Sequence, residues 1–72
     1  MPEVSGERMI RVALKLGWRI SRQSGSHVMM VHPESVDGLL IIPRHRQPLA
    51  KGTLSDIMSV LGIDQDRLRK LL

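Results

Sequence analysis

Trp18-Arg19-Ile20-Ser21-Arg22-Gln23-Ser24-Gly25-Ser26-His27-Val28-Met29-Met30-Val31-His32 is the stretch whose reading decides the fold. From Trp18 to Gln23, apolar and polar side chains alternate, the period of a strand with one buried face. Ser24-Gly25 is a turn signal. Ser26 to His32 reads as a second strand, so the two runs form a hairpin. Downstream, Pro33 to Gly38 is rich in breakers and reads as a loop. Leu39 to Ile42 is a third strand, stopped by Pro43, which has no amide to give to a ladder. Arg44 to Gly52 is polar and reads as irregular.

Helical patterns lie on both sides of these strands. Ser5 is suited to cap a helix, because its hydroxyl can accept an orphan amide of the first turn. Met9, Ile10, Ala13, Leu14 and Leu16 follow with helical spacing, and Gly17 suits the left-handed residue that ends a helix. After the strands, Thr53 resembles an N-cap with Asp56 as its capping-box partner. Leu54, Ile57, Met58 and Leu61 make one apolar stripe, closed by Gly62. Asp64 caps a short final helix, with Ile63 and Leu68 placed as a hydrophobic staple. The expected architecture is α+β: α-β-β-β-α with a short extra C-terminal helix, a three-stranded antiparallel sheet and helices on one face. This element order is that of a small double-stranded-RNA-binding-like fold, here in a single domain, 1–72.

Composition narrows the function classes. A 72-residue chain buries only about 60% of its unfolded surface, too little for a large enclosed substrate cavity. A hydrophobic content of 42% is enough for a folded core. The absence of cysteine excludes disulfides, thiolate zinc sites and a cysteine nucleophile. One Trp, with no Phe and no Tyr, argues against a sheet that reads RNA by stacking bases on aromatics. The longest aliphatic run, Leu39 to Ile42, is far short of the roughly 20 apolar residues of a membrane helix. Met1-Pro2-Glu3-Val4 lacks the pattern of a signal peptide, so the cytoplasm is the expected compartment. The net charge is +4. The surplus lies between Arg8 and Lys51, where Arg8, Arg11, Lys15, Arg19, Arg22, Arg44, Arg46 and Lys51 face only Glu34 and Asp37. Such a balance points to an anionic partner such as nucleic acid.

The second strand is the most informative. Alternation puts His27, Met29 and Val31 on one face and Val28, Met30 and His32 on the other. Both faces are apolar in the middle, although a two-layer fold buries only one. Either the final helix covers the second face, or it docks a protein partner, with Met29 or Met30 filling core or meeting that partner.

His27 stands beside the Gly25-Ser26 turn and near Arg22. An imidazole titrates around pH 6.5 and can both take and give a proton near neutrality. RNA brings its own nucleophile, the 2′-hydroxyl. Cleavage then needs a base for that hydroxyl, cations for the charge on the phosphorane, and a proton for the leaving 5′-oxygen. One histidine among arginines supplies this minimum without a metal. Arg22, Arg44, Arg46 and Lys51 are the candidate phosphate contacts. Gly25 and Ser26, in the turn beside His27, are further candidate RNA contacts. His45, between Arg44 and Arg46, reads as a phosphate contact, a proton donor or an exposed loop residue. His32, before Pro33 at the far strand end, reads as structural. The three histidines fit no usual zinc spacing, and no metal or cofactor is expected.

The ordered pieces Ser5-Gly6, Gly17-Trp18, Arg22-Gln23-Ser24-Gly25-Ser26-His27, His32-Pro33, Pro43-Arg44-His45 and Leu49-Ala50-Lys51-Gly52-Thr53-Leu54-Ser55-Asp56-Ile57 resemble the HicA (YcfA-like) toxins of type II toxin–antitoxin pairs. The match runs from about Ser5 to Ile63. Met29 and Met30 stand where aromatic residues are often found in that family, and the helical segment past Ile63 is an extension. The resemblance implies an mRNA endoribonuclease (mRNA interferase) that inhibits translation and growth. It implies that His27 is the catalytic residue and that a HicB-type antitoxin masks it. Two other readings stay open. One is a non-catalytic RNA-binding domain of the same fold. The other is a helix-turn-helix DNA binder over Leu54 to Leu72, opposed by bulky Met58, the segment's zero net charge and Asp66 near its reading face.

Overall fold

A computed structural model describes residues 3–72. Its order is α1 (Gly6–Lys15), β1 (Arg19–Ser24), β2 (His27–His32), β3 (Ser35–Pro43), α2 (Lys51–Leu61) and α3 (Gln65–Leu71). The strands form one antiparallel sheet in the order β1-β2-β3. The expected α+β architecture with its extra C-terminal helix is the one observed.

Local chemistry accounts for most of the element ends. Ser5 Oγ accepts the Arg8 amide at 3.2 Å, and Asp64 Oδ1 accepts the Arg67 amide at 2.8 Å. Gly17 and Gly62 end α1 and α2 with φ of 93° and 71°, angles that side chains with a Cβ rarely adopt.

Two expected boundaries move. The third strand starts at Ser35, not Leu39, and the loop shrinks to Pro33-Glu34. Val31 pairs with Leu39 but His32 pairs with Ser35, so residues 36–38 form a bulge within the ladder. Gly38 makes this possible: a Cβ there would lie 2.4 Å from Ser35 Oγ and 3.4 Å from Trp18 Cη2. The second helix starts at Lys51 and not after Thr53. Its N-cap is Ala50, with no side-chain cap. Tertiary bonds position this start. The Leu49 amide donates to Val4 O at 2.8 Å, and Ser5 bridges to Pro48. The Leu54 amide then closes the first turn on Ala50 O at 2.9 Å. Lys51, Gly52 and Thr53 are exposed, so water can serve the open amides.

The helices cover one face of the sheet. Val28, Met30, Leu40 and Ile42 point into the core and are at most 3% exposed. There they join Met9 and Ile10 of α1, Leu54 and Ile57 of α2, and Leu68 of α3. Full burial of one such side chain contributes about 1.5–3 kcal/mol. Met30 is therefore core, whereas Met29 lies on the other face. The final helix packs on α1 and does not cover that second face. Val31, Leu39 and Ile41 remain 38%, 50% and 48% exposed. β1 is supported by β2, and all six of its residues are exposed.

Candidate active site

The β1–β2 turn is built for a tight reversal. Ser24 pairs with His27, leaving Gly25-Ser26 as a two-residue loop. Gly25 has φ of 58°, and among the described residues no non-glycine has positive φ. That combination suits a type II′ turn, with glycine at its first central position. The Gln23 side-chain amide braces it, donating to Gly25 O at 3.0 Å.

Two other segments converge on this turn. His27 pairs with Pro43 across β3, and the next amide, Arg44 N, donates to Ser26 O. The amino end of α1 comes in behind: the Glu7 amide donates to His45 O at 3.3 Å. At Gly6 the approach is so close that a Cβ would lie 1.7 Å from Pro43 O. Gly6 is a poor helix former in a first turn, and this contact explains it. Spacing alone did not reveal the contact.

His27 is exposed on the open face of the sheet, and its ring makes no hydrogen bond among the described residues. Arg22 pairs with Met29, two rows along the ladder from the Ser24–His27–Pro43 row and the next row on the same face, and is also exposed. Adjacent rows on one face lie roughly 7 Å apart. Arg44 is half-buried, and its Nε is buried without a hydrogen-bond partner. His45 is exposed on the segment tied to α1. The structure thus brings together Arg22, Gly25, Ser26, His27, Arg44 and His45. Arg46 and Lys51 are exposed farther along, where residues 48 and 49 bond to the N-terminal segment and not to the hairpin. Among the described residues the one ion pair joins Arg69 to Asp66 at 3.5 Å. The cations near His27 therefore hold no carboxylate there.

His32 has a different environment. It lies at the opposite end of β2, where its Nε2 bonds Leu16 O at 3.2 Å and its Nδ1 accepts the Glu34 amide at 3.1 Å. Donating from one nitrogen and accepting at the other is the pattern of a neutral ring. Its edge meets Trp18 at 5.4 Å between centroids and 73° between planes. Both nitrogens are used in joining the end of α1 to the β2–β3 turn, a structural role.

The arrangement is an exposed imidazole on an open, cation-bordered surface. Such a surface admits a polymer, where an enclosed cavity would not. A family model for the HicA toxin of bacterial toxin-antitoxin systems matches residues 6–63. This is most of the chain, so the chain belongs to that family. No curated protein matches it.

Proposed function

We propose that this HicA-family chain is a metal-independent mRNA endoribonuclease, the toxin of a type II pair neutralised by a HicB-type antitoxin. The observation that carries the reading is His27: an imidazole without a hydrogen-bond partner among the described residues, on the exposed sheet face, in the next same-face row from Arg22 and beside the Arg44 segment.

The chemistry follows from these positions. The RNA backbone lies across the open face, with its phosphates toward Arg22 and Arg44. His27 takes the proton of a 2′-hydroxyl, and that oxygen attacks the neighbouring phosphorus. The guanidinium groups offset the charge that grows on the phosphorane oxygens. The P–O5′ bond breaks and the 5′-oxygen takes up a proton, with exposed His45 the candidate donor. The products are a 2′,3′-cyclic phosphate and a 5′-hydroxyl. Contacts to phosphate give affinity that falls with salt and carry no base preference. The apolar part of the same face suits the antitoxin, whose binding there hides His27.

The test uses purified chain and a defined mRNA, with and without EDTA. Cleavage that survives EDTA and leaves cyclic phosphate ends supports the proposal. Salt-sensitive binding without cleavage, alone or on translating ribosomes, would favour a plain RNA-binding domain. Ends carrying 5′-phosphate would point to hydrolysis by a different route.

A further inference from the structure

The two free edges of the sheet are guarded differently. β1 carries Arg19 and Arg22 and a bulge between Ile20 and Arg22. Charges and bulges of this kind keep an edge from pairing with another chain. β3 has its bulge at residues 36–38 and a proline at residue 43. Between them, Leu39 to Ile42 run without a charge, and among the described residues no strand pairs with their outer side. Beside that edge lies a groove of about 310 Å³, walled by Leu39 to Ile41 and by Thr53, Asp56, Ile57 and Val60 of α2. Val60 is 48% exposed.

We propose that this groove receives an extended segment of the antitoxin. That segment adds a fourth strand to β3 while the body of the same protein covers the face that holds His27. The inference rests on the toxin reading above and says where the partner grips. Leu39 and Ile41 belong to both surfaces: they line the groove, and they lie in the open-face rows of Val31 and Met29. Face and groove are therefore one apolar surface folded around the β3 edge.

Charge selects the occupant. The groove has Asp56 as its only charged wall and no cation, so it offers a polynucleotide nothing. Across two strand spacings, roughly 10 Å away, the same face carries exposed Arg19 and Arg22. A second copy of this chain would add another +4 to that surface. The fitting partner is an acidic protein with an exposed strand of alternating apolar side chains. Its carboxylates meet the β1 side, and main-chain hydrogen bonds run along β3.

The experiment compares the free chain with its complex with the HicB-type protein encoded beside it, by hydrogen exchange and by binding. In the complex, amides of residues 39–42 that point away from β2 should exchange at least tenfold more slowly. Val60→Arg places a bulky cation in the groove on an exposed helix position. It should weaken the complex at least tenfold and leave RNA cleavage by the free chain unchanged. A complex that silences cleavage yet leaves β3 exchange and Val60→Arg affinity unchanged overturns this inference and leaves the toxin reading standing. Concentration-dependent protection of the same amides in the isolated chain overturns it in favour of a second copy. A chain that neither cleaves RNA nor binds that protein overturns both.

Discussion

β1 and β3 flank the same central strand, yet the fold treats them unequally. β3 sends Leu40 and Ile42 into the core and is held by α1 and α2. β1 is exposed along its whole length and is held by β2. Stability is thus concentrated on the β3 side, while the β1–β2 hairpin presents Arg22 and His27 to solvent. The division lets the hairpin surface change without disturbing the core. It also leaves that surface with less packing to hold it in place.

The sharpest way to break this comparison is at His27. His27→Ala should lower RNA cleavage about 10²–10⁴-fold, the range of general acid–base catalysis. Its thermal midpoint should stay within a few degrees, because the side chain is exposed. Full cleavage by a folded His27→Ala protein would falsify the catalytic assignment. Three residues along the same strand, on the core side, Met30→Ala should cost about 2–5 kcal/mol, as large-to-small core changes do. In a domain of this size that lowers the midpoint by roughly 4–8 °C per kcal/mol, measured by thermal denaturation. A mild effect would mean that β2 is not the strand on which the core is centred.

Gly6→Ala tests the junction between the two sides. The added Cβ would meet the Pro43 carbonyl, so α1 or the 43–45 segment must shift, at a cost of about 1–3 kcal/mol. RNA cleavage should fall along with stability, since the same segment flanks His27. A Gly6→Ala protein that is destabilised but cleaves at the wild-type rate would separate α1 from the site. Arg22→Ala should have the smallest effect. Stability should change by less than about 0.5 kcal/mol. RNA affinity should fall several-fold, and the slope of log K against log salt should flatten by roughly one unit. An unchanged slope would take Arg22 off the phosphate path.

Much of this was legible in the residues. Gly17, Gly25 and Gly62 punctuate the chain at three left-handed positions, and the alternation at residues 27–31 sorts the two sheet faces. What stayed hidden depended on contacts distant in sequence. The early start of β3 needs the Ser35–Gly38 bulge seated against Trp18. The start of α2 is set by bonds to Val4 and Ser5 rather than by a capping side chain. The expectation that a protein partner or a helix must cover the second sheet face could not be decided from one strand, because α3 was free in principle to lie on either side. At the site, His27, Arg22 and the Gly25-Ser26 turn could be read from adjacency. The approach of α1 could not, since nothing near Gly6 in sequence names Pro43. Arg46 and Lys51 looked equivalent to Arg44 by charge, yet only Arg44 is stapled to the turn.

Trp18, the sole aromatic apart from the histidines, has a practical consequence. It is 7% exposed and stacked edge-on to His32, at the end of β2 roughly 17 Å from His27 by strand rise. Ultraviolet fluorescence from this molecule therefore originates at one spot, in the hinge between α1 and the sheet. It will report melting of the body faithfully and, on the proposed nuclease reading, stay nearly silent when a polynucleotide binds at the other end. Following substrate binding optically calls for a dye at the hairpin tip.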